Sequence, residues 1–306
     1  MTKVLLATDK PFAKVAVEGI SKIIGEAGFE FIILEKYKEQ ADFLNAAAGA
    51  DAIIIRSDKA DRQLLDAAKN LKIIVRAGAG YDNIDIAAAK EKGIVAMNTP
   101  GQNSNAVAEL AIGMMVYMAR NFFDGSSGSE LRGKKLGLHA YGNVSRYMAQ
   151  IALGFGMKVY AYDPYVKKED IEKDGVNYIE NMEDLYSTCQ YVSLHIPYNK
   201  ETHHLIGNGM ISKMPKGATI INTARKEVIC EEGLLTSFAE RPDFRYIADV
   251  EPDIKHELEI YKGRFFITPK KMGAQTEEAN INAGIAAARQ IVSFFKSGDT
   301  TYQINK

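Results

Sequence analysis

The chain has 306 residues, 46% of them apolar and 25% charged, with a formal net charge of −1 at pH 7. Such a length and composition fit a globular protein with two domains, and the lack of a basic cluster or acidic tail argues against nucleic acid and membrane surfaces as partners. No apolar run approaches the roughly 20 residues of a membrane span. The opening MTKVLLATDKPF has no export signal, and Cys189 and Cys230 have no metal-like spacing, so a cytoplasmic enzyme is expected.

From the N-terminus, short apolar runs at residues 3–7, 30–34, 52–55, 72–75 and 94–96 alternate with helical patterns at 14–27, 38–49, 61–68 and 84–92. This alternation predicts a parallel sheet covered on both faces, with ligands bound beyond the C-terminal strand ends. Two arginines stand at such ends: Arg56 with Ser57 after AIII, and Arg76 with Ala77 and Gly78 after IIV. A surface ion pair and an anion site explain one such arginine equally well. Two at neighbouring tips favour the anion site. A loop from Asn98 to Ser104, with Asn103 in it, leads to a helix at 105–119 whose only charge is Glu109. A helix so apolar is expected to be buried, capped by Ser104 or Asn103. Residues 122–130 read as a loop or crossover.

A strand–turn–helix–strand unit follows. The run 136–140 breaks at Tyr141-Gly142-Asn143, and Val144, Met148, Ile151, Ala152 and Phe155 then recur at helical steps until Gly154 and Gly156. A second strand, 158–162, ends in Asp163. That acid lies about 20 residues past the glycine turn, where dinucleotide-binding units hold a ribose. Of three fingerprint glycines only the middle one, Gly142, is present, where backbone N–H groups approach a pyrophosphate. Ala140 is tolerable at negative φ and costs on the order of 1 kcal/mol at positive φ. Ser145 is small and could donate to a phosphate. An ordinary βαβ turn accounts for one glycine equally well, so the flanking sequence decides. Further strands are expected at 191–196, 218–222, 246–250 and 265–268, helices at 182–188 and 231–238, a long helix at 275–296, and a tail strand at 301–304.

VRAGAGYDNID (75–85), NTPGQNSNAVAEL (98–110), GFGMKVYAYDPY (154–165), VSLHIP (192–197), ETHHLI (201–206) and INTARKEV (221–228) together resemble D-isomer-specific 2-hydroxyacid dehydrogenases. They are most similar to the short D-3-phosphoglycerate dehydrogenases without a regulatory domain. The chain ends just after the long helix and tail, so no such domain is expected. The resemblance implies an α/β fold of two doubly wound parallel-sheet domains with the active site between them. A flavodoxin-like substrate domain would span 1–98 and 282–306, and a Rossmann domain 99–281. It implies a homodimer, NAD, and a small phosphorylated hydroxy acid as substrate, in serine biosynthesis. By position, Tyr141, Gly142, Asn143, Val144, Ser145, Asp163, His195, Pro197, Thr202, Thr223, Ala224, Asp249 and Gly273 would bind the cofactor. Arg56, Ser57, Arg76, Ala77, Gly78 and Asn103 would bind substrate. Arg225 would hold the substrate's carboxylate and keto oxygen, a task suited to a guanidinium fork.

The acid/base pair departs from the family. Glu251 sits nearest the family's glutamate, in a segment about three residues shorter than usual. The family's histidine, in Thr-Pro-His followed by one residue and Gly-Ala, is missing: this chain reads Thr268-Pro269-Lys270-Lys271-Met272-Gly273-Ala274. Anchoring on Pro269 selects Lys270, the preferred choice, and anchoring on Gly273 selects Lys271. A lysine, ordinarily near pKa 10.4, is a poor base at neutral pH but a good acid for keto reduction; desolvation or the Arg225 cation would lower its pKa, and pairing with Glu251 would raise it. His139 reads as core or cofactor-adjacent, His203 and His204 as loop residues, and Cys230 as an inert thiol. Three activities stay open: D-3-phosphoglycerate dehydrogenase, a reductase for glyoxylate, hydroxypyruvate or another 2-keto acid, and an NAD-sensing binding protein with little catalysis.

Overall fold

The structure, a computed structural model, describes residues Met1–Lys306. They form two compact units, Met1–Asn103 with Gln275–Lys306, and Ser104–Ala274.

In the first unit five strands, β1 (Lys3–Thr8), β2 (Glu30–Glu35), β3 (Ala52–Ile55), β4 (Ile73–Arg76) and β5 (Val95–Asn98), form one parallel sheet in the order β2-β1-β3-β4-β5. This is the flavodoxin-like order, whose switch point lies between β1 and β3. Ile53, Ile54 and Ile55 are fully buried, as an unbroken apolar run must be when both sheet faces are covered. The helices are α1 (Lys14–Glu26), α2 (Gln40–Ala47), α3 (Arg62–Ala67), α4 (Ile86–Glu91) and, from the chain's end, α12 (Glu277–Ser297). Ile20 and Ile24 of α1 share a core with Ala287, Ala288 and Ile291 of α12. Phe43, Leu64 and Ala88 build the core that contains α2, α3 and α4.

Two sequence expectations are corrected here. The boundary expected at 281/282 would cut α12, which starts at the Thr276 cap, whose hydroxyl accepts the Ala279 N–H. The whole helix belongs to the first unit. The tail is not a strand: only Met97 and Gln303 form an antiparallel bridge. The Asn305 side chain takes the place of further ladder bonds, accepting from the Ala96 N–H (3.0 Å) and donating to the Ile94 carbonyl (2.8 Å).

In the second unit seven strands, β6 (Lys135–His139), β7 (Lys158–Tyr162), β8 (Asn177–Tyr178), β9 (Tyr191–Leu194), β10 (Thr219–Asn222), β11 (Arg245–Ala248) and β12 (Phe265–Ile267), form a parallel sheet ordered β12-β11-β10-β9-β6-β7-β8. The chain builds outward from β6 to β8, then returns to β9 on the other side. β6 and β9 therefore flank a topological switch point, where open α/β sheets bind ligands. The helices are α5 (Ser104–Ala119), α6 (Asn143–Gly154), α7 (Lys168–Glu172), α8 (Met182–Thr188), α9 (Asn208–Ile211), α10 (Glu231–Glu240) and α11 (Lys255–Leu258). As its composition predicts, α5 is buried, with Ala108, Ala111, Met114, Met115 and Met118 in the core beside Met148 and Ala152 of α6. No helix is long and apolar enough to cross a membrane.

Candidate active site

The turn after β6 carries the dinucleotide motif. Ala140 stands where the fingerprint has its first glycine and adopts φ +77°, so the alanine carries the strain that a glycine would avoid. It is pinned on both sides. Its N–H donates to the Tyr162 carbonyl (2.9 Å), and its carbonyl accepts from the Ser145 hydroxyl (2.6 Å). Ser145 is fully buried, so the expectation that it donates to a phosphate is corrected: it braces the turn. Tyr141 is likewise turned inward. Its N–H goes to Asp163 Oδ2 (2.7 Å), its hydroxyl to Asp174 (3.0 Å), and Arg146 covers its ring.

Gly142 occupies the N-cap of α6, with φ −88° and no side-chain cap. By contrast Asp61, Asp85, Asn181 and Thr276 cap α3, α4, α8 and α12 with side-chain oxygens. The first-turn N–H groups at Asn143, Val144 and Ser145 have no intrahelical acceptor. A Cβ at Gly142 would meet nothing within 4 Å, so the space over the turn is open. At the tip of β7, Asp163 is buried and accepts three backbone N–H groups, from Tyr141, Tyr165 (2.8 Å) and Val166 (3.2 Å). An ionised carboxylate has about four acceptor positions, which leaves one for a ribose hydroxyl.

Across the switch point, His195 Nε2 and the hydroxyl of Thr223 are buried without a hydrogen-bond partner. Beside them His139 lies between Tyr186 and Tyr162, its Nδ1 3.1 Å from the Tyr186 hydroxyl. Burial pushes the His139 imidazole down to about 4 against the opposing pull of Asp163. Burial and His139 push His195 to about 3. Both rings are neutral at pH 7, and His139 is a core residue. The Thr202 hydroxyl closes its own loop onto the Pro197 carbonyl (2.6 Å). His203 and His204 stack on each other with ring centroids 3.8 Å apart.

The tip of β10 places Arg225. Asn222, fully buried, accepts the Ala224 N–H (3.0 Å) and donates to the Arg225 carbonyl (3.0 Å), folding Asn-Thr-Ala-Arg into a tight turn. Nη1 of Arg225 donates to the Ala224 carbonyl (3.0 Å). The tip of β11 holds the lysine loop. Asp249, almost fully buried, accepts the N–H groups of Met272 (2.5 Å) and Gly273 (2.8 Å), and Thr268 Oγ1 lies 3.0 Å from the same carboxylate. Gly273 has no room for a side chain, since a Cβ would lie 2.9 Å from Asp249 Oδ2 and 3.0 Å from Val107. Asp249 therefore anchors the loop, a task not expected of it.

This anchoring separates the two lysines. Lys271 Nζ lies 3.4 Å from the Ala224 carbonyl, beside Arg225, whereas the Lys270 side chain makes no hydrogen bond or ion pair and its carbonyl accepts from the Thr268 hydroxyl (2.7 Å). Of the two, Lys271 rather than the preferred Lys270 stands beside the Arg225 turn. Glu251 is exposed and paired with Lys255 (2.6 Å), four residues on at the start of α11, and makes no ion pair with Lys270 or Lys271.

In the first unit Arg56 lies at the β1/β3 switch point. Its guanidinium sits over the Phe12 ring (5.0 Å) and donates to the carbonyls of Lys10 and Pro11 (3.2 Å each) and to the Asn280 side chain. All three acceptors are neutral, and burial lowers the Arg56 pKa, with Asp58 and Asp9 opposing. Arg76 donates through Nε to the Arg56 carbonyl (3.0 Å) and through Nη1 to that of Gly80 (2.6 Å). A Cβ at Gly78 would come within 2.6 Å of that Nη1. Ser57 is exposed, Ala77 is buried, and Asn103 is half-buried. Two residues unmarked by any motif hold these tips together. Asp58, buried, accepts from the Asp9 N–H (2.7 Å), the Tyr37 hydroxyl (2.7 Å) and the Arg56 N–H (3.2 Å), and Asn83 donates to the carbonyls of Arg56 and Asp58. Only the closeness of Asp58 to Arg56 in the sequence signals this; Asn83 and Asn280 give no signal.

Residues 116–269 match the family profile for the D-isomer specific 2-hydroxyacid dehydrogenase, NAD binding domain. The hydroxypyruvate reductase of Thermotoga maritima is 36% identical over 86% of this chain and 90% of its own length. The D-3-phosphoglycerate dehydrogenase of Methanocaldococcus jannaschii is 35% identical over 90% of this chain but only 55% of its own length, so the chain spans about half of that relative. Among solved structures, NAD+-bound 3-phosphoglycerate dehydrogenase of Entamoeba histolytica is 49% identical, with a TM-score of 0.90 over 100% of this chain and 99% of that one. NAD fits the residues present. An uncapped α6 with open space over Gly142 suits a pyrophosphate. Asp163 suits a ribose, and the unpartnered Thr223 hydroxyl and His195 Nε2 suit a polar ring substituent. With the expected two-sheet fold, the glycine turn and its acid all present, the chain belongs to the D-isomer specific 2-hydroxyacid dehydrogenase family and uses NAD.

Proposed function

We propose that the protein oxidises D-3-phosphoglycerate at C2 to 3-phosphohydroxypyruvate. Bound NAD supplies the hydride acceptor. The protein's own groups position the substrate and take the hydroxyl proton. Arg225 grips the carboxylate and the C2 oxygen and stabilises charge developing there. Lys271, held beside it at the Ala224 carbonyl, accepts the hydroxyl proton as a neutral amine and returns it in reduction as ammonium.

One observation carries the choice of substrate. The Arg56 guanidinium is tethered only to neutral oxygens, so its charge remains for an anion. A guanidinium has five N–H donors, and these contacts leave the Nε–H and one Nη2–H for a phosphate. The relatives named as 3-phosphoglycerate dehydrogenases support this reading. Relatives named hydroxypyruvate reductase and glyoxylate reductase favour a second one, reduction of a smaller 2-keto acid, for which Arg56 would matter little. A cytoplasmic homodimer completes the proposal on family resemblance alone.

The test is Arg56→Ala. For a charge-assisted contact worth about 1.5–3 kcal/mol, KM for D-3-phosphoglycerate should rise roughly 10- to 150-fold, with little change for D-glycerate. Equal losses on both substrates would assign Arg56 to the carboxylate or to structure.

A further inference from the structure

The strands of the second unit are all parallel, so their N-terminal ends form an edge opposite the glycine turn. At that edge lies a cavity of about 330 Å³, near the lower limit of ordinary small-molecule sites. Four cations line it: Lys134 just before β6, Lys216 before β10, Arg245 at the start of β11, and Arg264 just before β12. Asp243 is the only carboxylate in the lining. It is already engaged, 3.0 Å from Arg241 and accepting the Gly217 N–H (2.6 Å).

None of the four cations is neutralised by a carboxylate. Arg264 donates to the carbonyls of Arg241 and Phe238 (2.8 Å each) and lies over the rings of Tyr261 (4.7 Å) and Phe238 (5.1 Å). Arg245 donates to the Met118 carbonyl (3.1 Å). Both guanidiniums are thus held in place by neutral partners and keep their full charge. Lys134 and Lys216 make no side-chain hydrogen bond or ion pair. Like charges gathered around one cavity repel each other, a cost that an anion would reverse. Strands from β6 to β12 lie about 4.8 Å apart at each step, so the cations span more than one phosphate covers.

We propose that this cavity is a second anion site, separate from the dinucleotide turn, for a small polyanion carrying two or more phosphate groups. It requires neither the substrate nor the proton carrier assigned above.

The experiment is calorimetric titration of the full chain with inorganic pyrophosphate, in saturating NADH so that the glycine turn is filled. One pyrophosphate per chain is expected, with orthophosphate and sulfate at matched ionic strength binding at least about tenfold more weakly. The double variant Lys134→Gln/Lys216→Gln, whose wild-type side chains have no partners, should keep its Tm and NADH affinity and weaken pyrophosphate by about tenfold or more. Arg245→Gln should weaken it too. Three results would overturn the site: no pyrophosphate binding, binding abolished by NADH, or unchanged affinity in the double variant.

Discussion

Arg225 and Lys271 meet at one atom: Arg225 Nη1 lies 3.0 Å and Lys271 Nζ 3.4 Å from the carbonyl oxygen of Ala224. The arginine comes from the β10 turn braced by Asn222 and the lysine from the loop anchored by Asp249. Two unrelated local structures thus deliver a guanidinium and an amine to the same place, the pairing on which the proposed mechanism rests.

Lys271→Met keeps the stem and removes the amine. It should lower kcat by about two to four orders of magnitude, while NADH binding, read by fluorescence titration, survives. Lys270→Met should change kcat only slightly, because that side chain makes no hydrogen bond or ion pair. The reverse ranking would restore Lys270.

The pH profile follows from the same assignment. Oxidation needs the unprotonated amine, so kcat/KM should climb with pH well past the imidazole range near 6.5. Reduction needs the ammonium and should fall over the same interval. An oxidation rate that levels off below pH 7 would hand the proton role to a histidine.

The turn after β6 gives a paired prediction. Gly142→Val places a side chain in open space in the protein alone, so Tm should hold while NADH affinity collapses. Ala140→Gly relieves a left-handed alanine and should stabilise the fold by about 1 kcal/mol, less what Gly loses in chain entropy. If Gly142→Val bound NADH normally, the phosphate position would lie elsewhere.

Asp163 repels a 2′-phosphate and also organises the turn through three N–H bonds. The protein should prefer NAD to NADP. Asp163→Ala should narrow that preference and lower Tm together, and kinetics with both cofactors beside a thermal melt read the two effects.

How far the sequence revealed all this depended on the range of the interaction. Apolar runs such as AIII disclosed buried parallel strands, because burial on both faces leaves no polar position. The glycine turn and its acid were legible because their spacing is fixed by one βαβ unit. The choice between Lys270 and Lys271 was ambiguous because the inserted residue gives two anchors, and the fold of the loop on Asp249 decides only which lysine lies beside the Arg225 turn. The pairing of Glu251 with Lys255, four residues on, was not read from the sequence, because the resemblance points Glu251 to the lysine loop instead. Asn83 and Asn280 were invisible and Asp58 nearly so, since they act mainly through hydrogen bonds to residues distant in sequence. The tail looked like a strand until a side chain, Asn305, replaced the ladder.

The buried histidines predict acid sensitivity. In the unfolded chain His139 and His195 take protons near 6.5, but in the fold they resist down to about 4 and about 3. Their folded pKa values are depressed, so the unfolded state binds more protons between those limits. Stability is therefore intact above about pH 6.5 and declines as pH falls toward 4, each histidine contributing up to about 1.4 kcal/mol per unit. In His139→Gln the decline in Tm from pH 7 to 5 should be shallower. An identical slope would show that His139 is not a source of the acid response.

The most direct measurement is NADH formation at 340 nm with D-3-phosphoglycerate, D-glycerate and D-lactate under identical conditions. The Arg56 anion site predicts that D-3-phosphoglycerate gives the highest kcat/KM, by at least about tenfold. A higher kcat/KM for either unphosphorylated acid, or no NADH with any of the three, would contradict the account.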